Sequence, residues 1–313
     1  MKVLKIFGIA MCFLFTVNAL AVNTELWEVK DFAKCKLNNI MLDENGNPSV
    51  APAIKELWKN PELYIWSIIK SGNTIYVGTG GKGKVYKINT SNKSGSELAL
   101  LDTTQAGVFS LVENKGIIYA GTSPDGIIYQ LDKTGKSKIF SQTKEKYIWK
   151  MVLDNDGNFY AATGVTGNIL KISGSGKIDT FYITPEKNVT FLNYVNNYFY
   201  AGTGENGYLF KVDKKGKGIC ILDANEKEIK EVISLDTLLL VAATEDSAGS
   251  VYCIYKDNKV EKLWSVSAPI RGLEWIAKDK NMLVAAGKRL YKIKLDGTAI
   301  VLNEFPANIS CIK

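Results

Sequence analysis

Short apolar runs of five to eight residues, broken by clusters of Gly, Asn, Asp and Lys, follow one another along most of the chain. They are rich in β-branched and aromatic residues, which marks strands rather than helices. The clearest pattern is IYVGTGGKGKVYKI at residues 75–88. It returns as IYAGTSPDGIIYQL (118–131), FYAATGVTGNILKI (159–172), FYAGTGENGYLFKV (199–212), LVAATEDSAGSVYCI (240–254) and LVAAGKRLYKI (283–293). Each copy predicts two strands around a Gly-rich turn, a repeated hairpin.

A further apolar run precedes each hairpin, beginning at Ile65, Val108, Ile148, Val189, Ile229 and Ile270, and a seventh begins at Ile309. The spacing is 39 to 43 residues, and each interval holds four strand signals separated by turn clusters. Four strands per ~40 to 45 residues is the period of a propeller blade. With the strands named A to D from the centre outward, the Gly-rich turn is the B–C loop. The expected fold is all-β: a seven-bladed β-propeller of four-stranded blades, six of them complete over residues 61–308. The seventh combines the last A strand, 309–313, with N-terminal strands from residues 22–60. Those strands are expected near 26–29, 34–42 and up to Trp58, with a turn at Asn45-Gly46-Asn47-Pro48 and a short helix over 53–58 as the alternative. Closure is expected because one ~40-residue unit cannot bury its apolar faces alone.

The IYVGTG, FYAATG and FYAGTG hairpins with their preceding A strands, over residues 65–313, resemble the WD40-like and YVTN-like bacterial β-propellers. The resemblance implies the fold and leaves function open, since that group holds binding modules, scaffolds and enzymes. The chain has no Gly-His or Trp-Asp dipeptide, so the polar network of true WD40 blades is not expected.

Residues 1–21 carry Lys2 and Lys5, an apolar run over 6–17 and then Ala19-Leu20-Ala21. This is the pattern of a cleavable secretory signal, and the run is shorter than the ~20 apolar residues of a membrane span. The expected mature chain, 22–313, is a single domain, secreted or periplasmic, with no transmembrane segment. Without residues 1–21 it has 37 basic and 32 acidic residues. The lysines are scattered one per turn, which argues against a nucleic-acid groove. Cys35, Cys220, Cys253 and Cys311 stay in the mature chain. They permit two disulfides or four buried thiols, and a Cys35–Cys311 bond would join the two halves of the closing blade.

The chain contains no His, which excludes His-based nucleophile, metal and lyase chemistry. The Gly-rich loops lack the following helix that a phosphate loop needs. The turns at Asp154-Asn155-Asp156-Gly157 and Asp43-Glu44-Asn45-Gly46 resemble calcium loops, but the twelfth positions are Val165 and Ile54, which cannot supply a bidentate carboxylate. No cofactor motif is found. Carboxylates at Asp125, Glu205, Glu245, Asp246 and Glu231 leave one enzymatic alternative, a carboxylate- or calcium-dependent hydrolase of the lactonase type. The second position of each A strand lies at the channel mouth and reads Trp66, Phe109, Trp149, Thr190, Lys230, Arg271 and Ser310 around the ring. An aromatic arc facing two cations suits a protein, peptide or glycan partner. The same aromatics could instead pack between blades. The recurring tyrosines Tyr76, Tyr119, Tyr160, Tyr200, Tyr86, Tyr129, Tyr252 and Tyr291 are expected in the inter-blade core.

Overall fold

A computed structural model describes residues 40–42, 47–52, 55–59, 62, 64–90, 96–132 and 134–312. The chain divides into two compact units, Met1–Cys35 and Lys36–Lys313, and every described residue belongs to the second. The expected strand at 26–29 and Cys35 lie outside the described residues.

Six four-stranded antiparallel blades follow in chain order, each a meander running from the centre outward. Their inner strands are Tyr64–Ser71, Gly107–Asn114, Tyr147–Leu153, Val189–Val195, Glu228–Ser234 and Ile270–Ile276. No described residue is helical. Inner strands of neighbouring blades are tied together directly. Ser67 Oγ donates to the Val108 carbonyl (3.0 Å) and Met151 N–H donates to Ser110 Oγ (2.8 Å), while Asn193 Nδ2 donates to the Val232 carbonyl (3.2 Å).

The core lies between consecutive blades, as alternating apolar strands require. Blades 3 and 4 share Tyr160, Ile169, Leu192 and Phe199; blades 4 and 5 share Phe191, Tyr200, Ile229 and Tyr252. The repeated tyrosines sit in these layers: Tyr76, Tyr86, Tyr119, Tyr160, Tyr200 and Tyr252 are buried, and Tyr129 and Tyr291 pack against the clusters.

Among the described residues, both ends of the chain meet the sixth blade. Strands Ile40–Leu42 and Pro48–Val50 extend the sixth blade, joining the outer edge of its D strand Ala299–Glu304. An open edge strand offers unpaired backbone groups that another strand can satisfy, and Pro48, which has no N–H to donate, is accepted in the outermost strand. The strand expected to run up to Trp58 ends at Val50, and residues 55–59 form neither strand nor helix. Residues 309–312 lie beside the sixth inner strand, with Ile309 N–H on the Gly287 carbonyl (2.9 Å) and Ile312 over Gly272, but form no ladder. The described residues hold six blades, and most of the N-terminal residues expected in a seventh, among them 22–39, lie outside them. Among the described residues Cys220, Cys253 and Cys311 are free thiols.

Candidate functional site

Every inner strand carries a β-bulge at its second apolar-run position. The register against the B strand shifts between Ile65 and Ser67, Val108 and Ser110, Ile148 and Lys150, Val189 and Phe191, Ile229 and Glu231, and Ile270 and Gly272. The bulged residues are thus Trp66, Phe109, Trp149, Thr190, Lys230 and Arg271. A bulge takes its residue out of the ladder and re-aims its side chain. Each of these strands begins beside the end of its B strand, so the six side chains share the end of the propeller that carries the B–C loops.

The first three meet. Trp66 stacks on Phe109 (centroids 5.2 Å, 28° between planes), and Phe109 meets Trp149 edge-on (5.0 Å, 84°). Two tyrosines that the sequence did not single out extend the row: Tyr64 against Trp66 (5.4 Å) and Tyr147 stacked on Trp149 (4.8 Å, 1°). Five rings therefore run across blades 1 to 3. The rings cover one another in the middle, but Tyr64 and Trp66 are 54% and 45% exposed. The row rests on glycines, since a Cβ on Gly80 would overlap the Trp66 indole and one on Gly164 the Trp149 indole. This explains the Gly that ends the GTG and ATG motifs.

The remaining bulged residues differ. Thr190 packs its methyl group near Gly204 and its hydroxyl on the Ile229 carbonyl (3.4 Å). Lys230 is paired with Glu228 (3.5 Å), which offsets one of the two expected cations. Arg271 pairs with no described carboxylate. Ser310 is exposed in the irregular segment 309–312.

The B–C loops are built for shape. The Thr of each of the first five motifs is buried and closes its own loop, as Thr122 Oγ1 does on the Ile127 carbonyl (2.8 Å) and Thr163 Oγ1 on the Asn168 carbonyl (2.8 Å). The last Gly of each of the first four loops, Gly83, Gly126, Gly167 and Gly207, has φ between 54° and 65°. A Cβ there would overlap the carbonyl of the residue three before the next apolar run: Gln105, Glu145, Glu186 and Glu226. Positive φ and this close approach both call for glycine, which settles the turn reading over a phosphate loop.

The same linker residues, together with Glu62, reach the B–C hairpin of their own blade. Glu62 accepts from Tyr86 OH (3.1 Å) and pairs with Lys84 (3.4 Å), and Glu145 accepts from Asn168 Nδ2 (3.0 Å). Gln105 exchanges two hydrogen bonds with Asp125, while Glu186 accepts from Asn206 (2.9 and 3.0 Å). Glu226, 6% exposed, accepts from Ser250 Oγ, Tyr252 OH (2.7 Å) and Lys262 Nζ (3.4 Å). Burial opposes its ionisation, yet the Ser250 and Tyr252 hydrogen bonds and the Lys262 charge hold its carboxyl below the usual range. The Glu or Gln three residues before each of the first five apolar runs was visible in the sequence; its partner was not.

Blade 4 supplies a polar end to the aromatic row. Trp149 Nε1 donates to Asn188 Oδ1 (3.4 Å), and Asn188 Nδ2 donates to Glu205 Oε1 (3.2 Å). Glu205 has φ 76° and Val165, at the matching place in the blade 3 loop, has φ 83°; Val165 is 51% exposed. Blade 1 has Gly81 in that column, at φ 95°.

Of the other candidates, Glu231 lies away from the mouth, lining a groove of about 310 Å³ at the far ends of the inner strands of blades 4 to 6. Glu245 and Asp246 follow the fifth B strand. Asp154 accepts from the Asp156 and Asn158 backbone N–H groups (2.9 Å each), a tight turn. Among the described residues no three acidic or Cys side chains gather as metal ligands.

By sequence, no known family and no curated protein matches the chain. By structure it is similar to a streptogramin B lyase, at 15% identity and a TM-score of 0.63, over 84% of this chain and 86% of that one. Virginiamycin B lyase from Staphylococcus aureus is similar at 14% identity and a TM-score of 0.63, over 84% and 87%. The β-propeller domain of Cps50 (Swd1) from Myceliophteria thermophila follows at 14% and 0.56, over 76% and 88%. Identities this low establish architecture only. The chain is a β-propeller.

Proposed function

We propose that this propeller is an exported binding module, acting in the periplasm or outside the cell. It engages a protein, peptide or glycan at the mouth formed by the bulged inner strands and the B–C loops. The observation that carries this reading is the row of five aromatic rings across three blades, with its blade 1 end about half exposed. Apolar rings on the rim of a rigid scaffold are the usual anchors of recognition. The signal-like segment at residues 1–21 supports export. Two of the structural neighbours carry the name lyase, but this chain has no His and two of its loop carboxylates, Asp125 and Glu205, are engaged in holding the loops. Binding is therefore the better-supported reading than carboxylate hydrolysis.

The test is an in-cell cross-linking pull-down of the tagged protein beside a folded Trp149→Ala, Arg271→Ala double variant. A partner captured by wild type and lost from the variant is the expected result. Equal capture by both would move the site to another surface, and dependence of turnover on one loop carboxylate would favour the hydrolase.

A further inference from the structure

The polar end of the aromatic row narrows the kind of ligand. At the boundary of blades 3 and 4 the structure places together an apolar surface (Tyr147, Trp149 and the exposed Val165) and an array of planar polar side chains. Asn188 joins Trp149 to Glu205, and Glu186 holds Asn206 next to it. The hydrogen bonds between Asn188 and Glu205 and between Asn206 and Glu186 are exposed to solvent. They fix the planes of these groups while leaving further donor and acceptor capacity on each carboxylate and amide.

The two loop tips are also costly to hold. A left-handed backbone is disfavoured for residues with a Cβ and most of all for a β-branched one. Gly81 shows that glycine fits the position. Keeping Val165 and Glu205 there places a methyl pair and a carboxylate on the rim beside the rings, and strained non-glycine residues of this sort concentrate at ligand clamps.

Resting on the mouth-binding reading, we infer that this corner is a subsite for one pyranose unit of a glycan. A sugar has an apolar C–H face and an equatorial belt of hydroxyls. The first matches the partly exposed Tyr147–Trp149 ring pair with the exposed Val165 beside it, and the second matches fixed carboxylates and amides that accept from and donate to neighbouring hydroxyls. The rest of the row, toward Trp66 and Tyr64, continues the apolar surface along which adjacent sugars would lie.

The experiment is titration of the purified protein with cello-, chito-, xylo- and laminari-hexaoses, read by tryptophan fluorescence and saturation-transfer NMR. Trp149→Ala, Glu205→Gln and Val165→Gly are compared with wild type. Wild type is expected to bind at least one oligosaccharide, with affinity falling ten-fold or more in Trp149→Ala and several-fold in Glu205→Gln. Val165→Gly is expected to melt no lower than wild type yet bind more weakly, which separates a contact role from a folding role. If no hexaose binds while a protein or peptide is captured in a Trp149-dependent manner, the glycan inference falls and mouth binding stands. If Trp149 is irrelevant to every captured partner, both fall. Binding of a hexaose unchanged in all three variants would also overturn the subsite.

Discussion

Gly207 illustrates how much of this molecule is decided by single positions. It has φ 63° and its missing Cβ leaves room for the Glu226 carbonyl. Gly207→Ala combines a left-handed penalty with a backbone overlap, so a loss of about 2 kcal/mol or more is expected in urea unfolding. Glu226 itself yields a pH signature. Its carboxyl is held below the usual range in the folded state, so its contribution is fully present above the ordinary value of about 4.3 and is lost as pH falls through the lowered folded value. Wild type should therefore lose stability below about pH 4 more steeply than Glu226→Gln. Parallel acid-unfolding curves for the two would contradict this. The sequence showed these residues as a recurrent Gly and a recurrent Glu or Gln. It did not show that they belong to one joint, because their contact depends on how a loop of one blade approaches the linker to the next.

At the scale of the element, the inner strand with its bulge is the unit that makes the mouth. The periodicity of apolar runs located all six inner strands, and the aromatic residues at their second positions were legible as a set. The bulge was not legible, since a one-residue shift in register leaves the composition of a strand unchanged. Nor were Tyr64 and Tyr147, which stand one residue before the apolar runs at Ile65 and Ile148. The distinction between core and rim aromatics gives a further expectation. Phe199 is fully buried between blades 3 and 4, so Phe199→Ala should cost ~3 to 5 kcal/mol. Trp149 is only partly buried, and Trp149→Ala should cost less than half of that in the same denaturation assay. Comparable losses at both positions would mean that Trp149 is chiefly a packing residue.

At the scale of the whole molecule, strand count and period gave the propeller, but the arrangement of its ends depended on contacts that no local pattern encodes. The strand Ile40–Leu42 finds the open edge of the sixth blade, and residues 309–312 lie along its inner strand without pairing. Cys253, in the C strand of blade 5, reports on the integrity of this part of the ring. Burial pushes its thiol up to about 11, so at pH 8 it should resist alkylation in the native protein while the exposed Cys220 reacts. Rapid native labelling of Cys253 would mean that blades 5 and 6 separate readily.

The central claim is that partners meet this propeller at the mouth. Its most direct test places a photo-cross-linking amino acid at Lys82, Val165 and Lys187 on the mouth, at Lys115 and Lys214 on the opposite end, and at Ile139 and Ile219 on the outer strands. Cross-links to a partner from the mouth positions, and not from the others, are the expected result. Cross-links confined to Ile139 and Ile219, or to Lys115 and Lys214, would contradict the account.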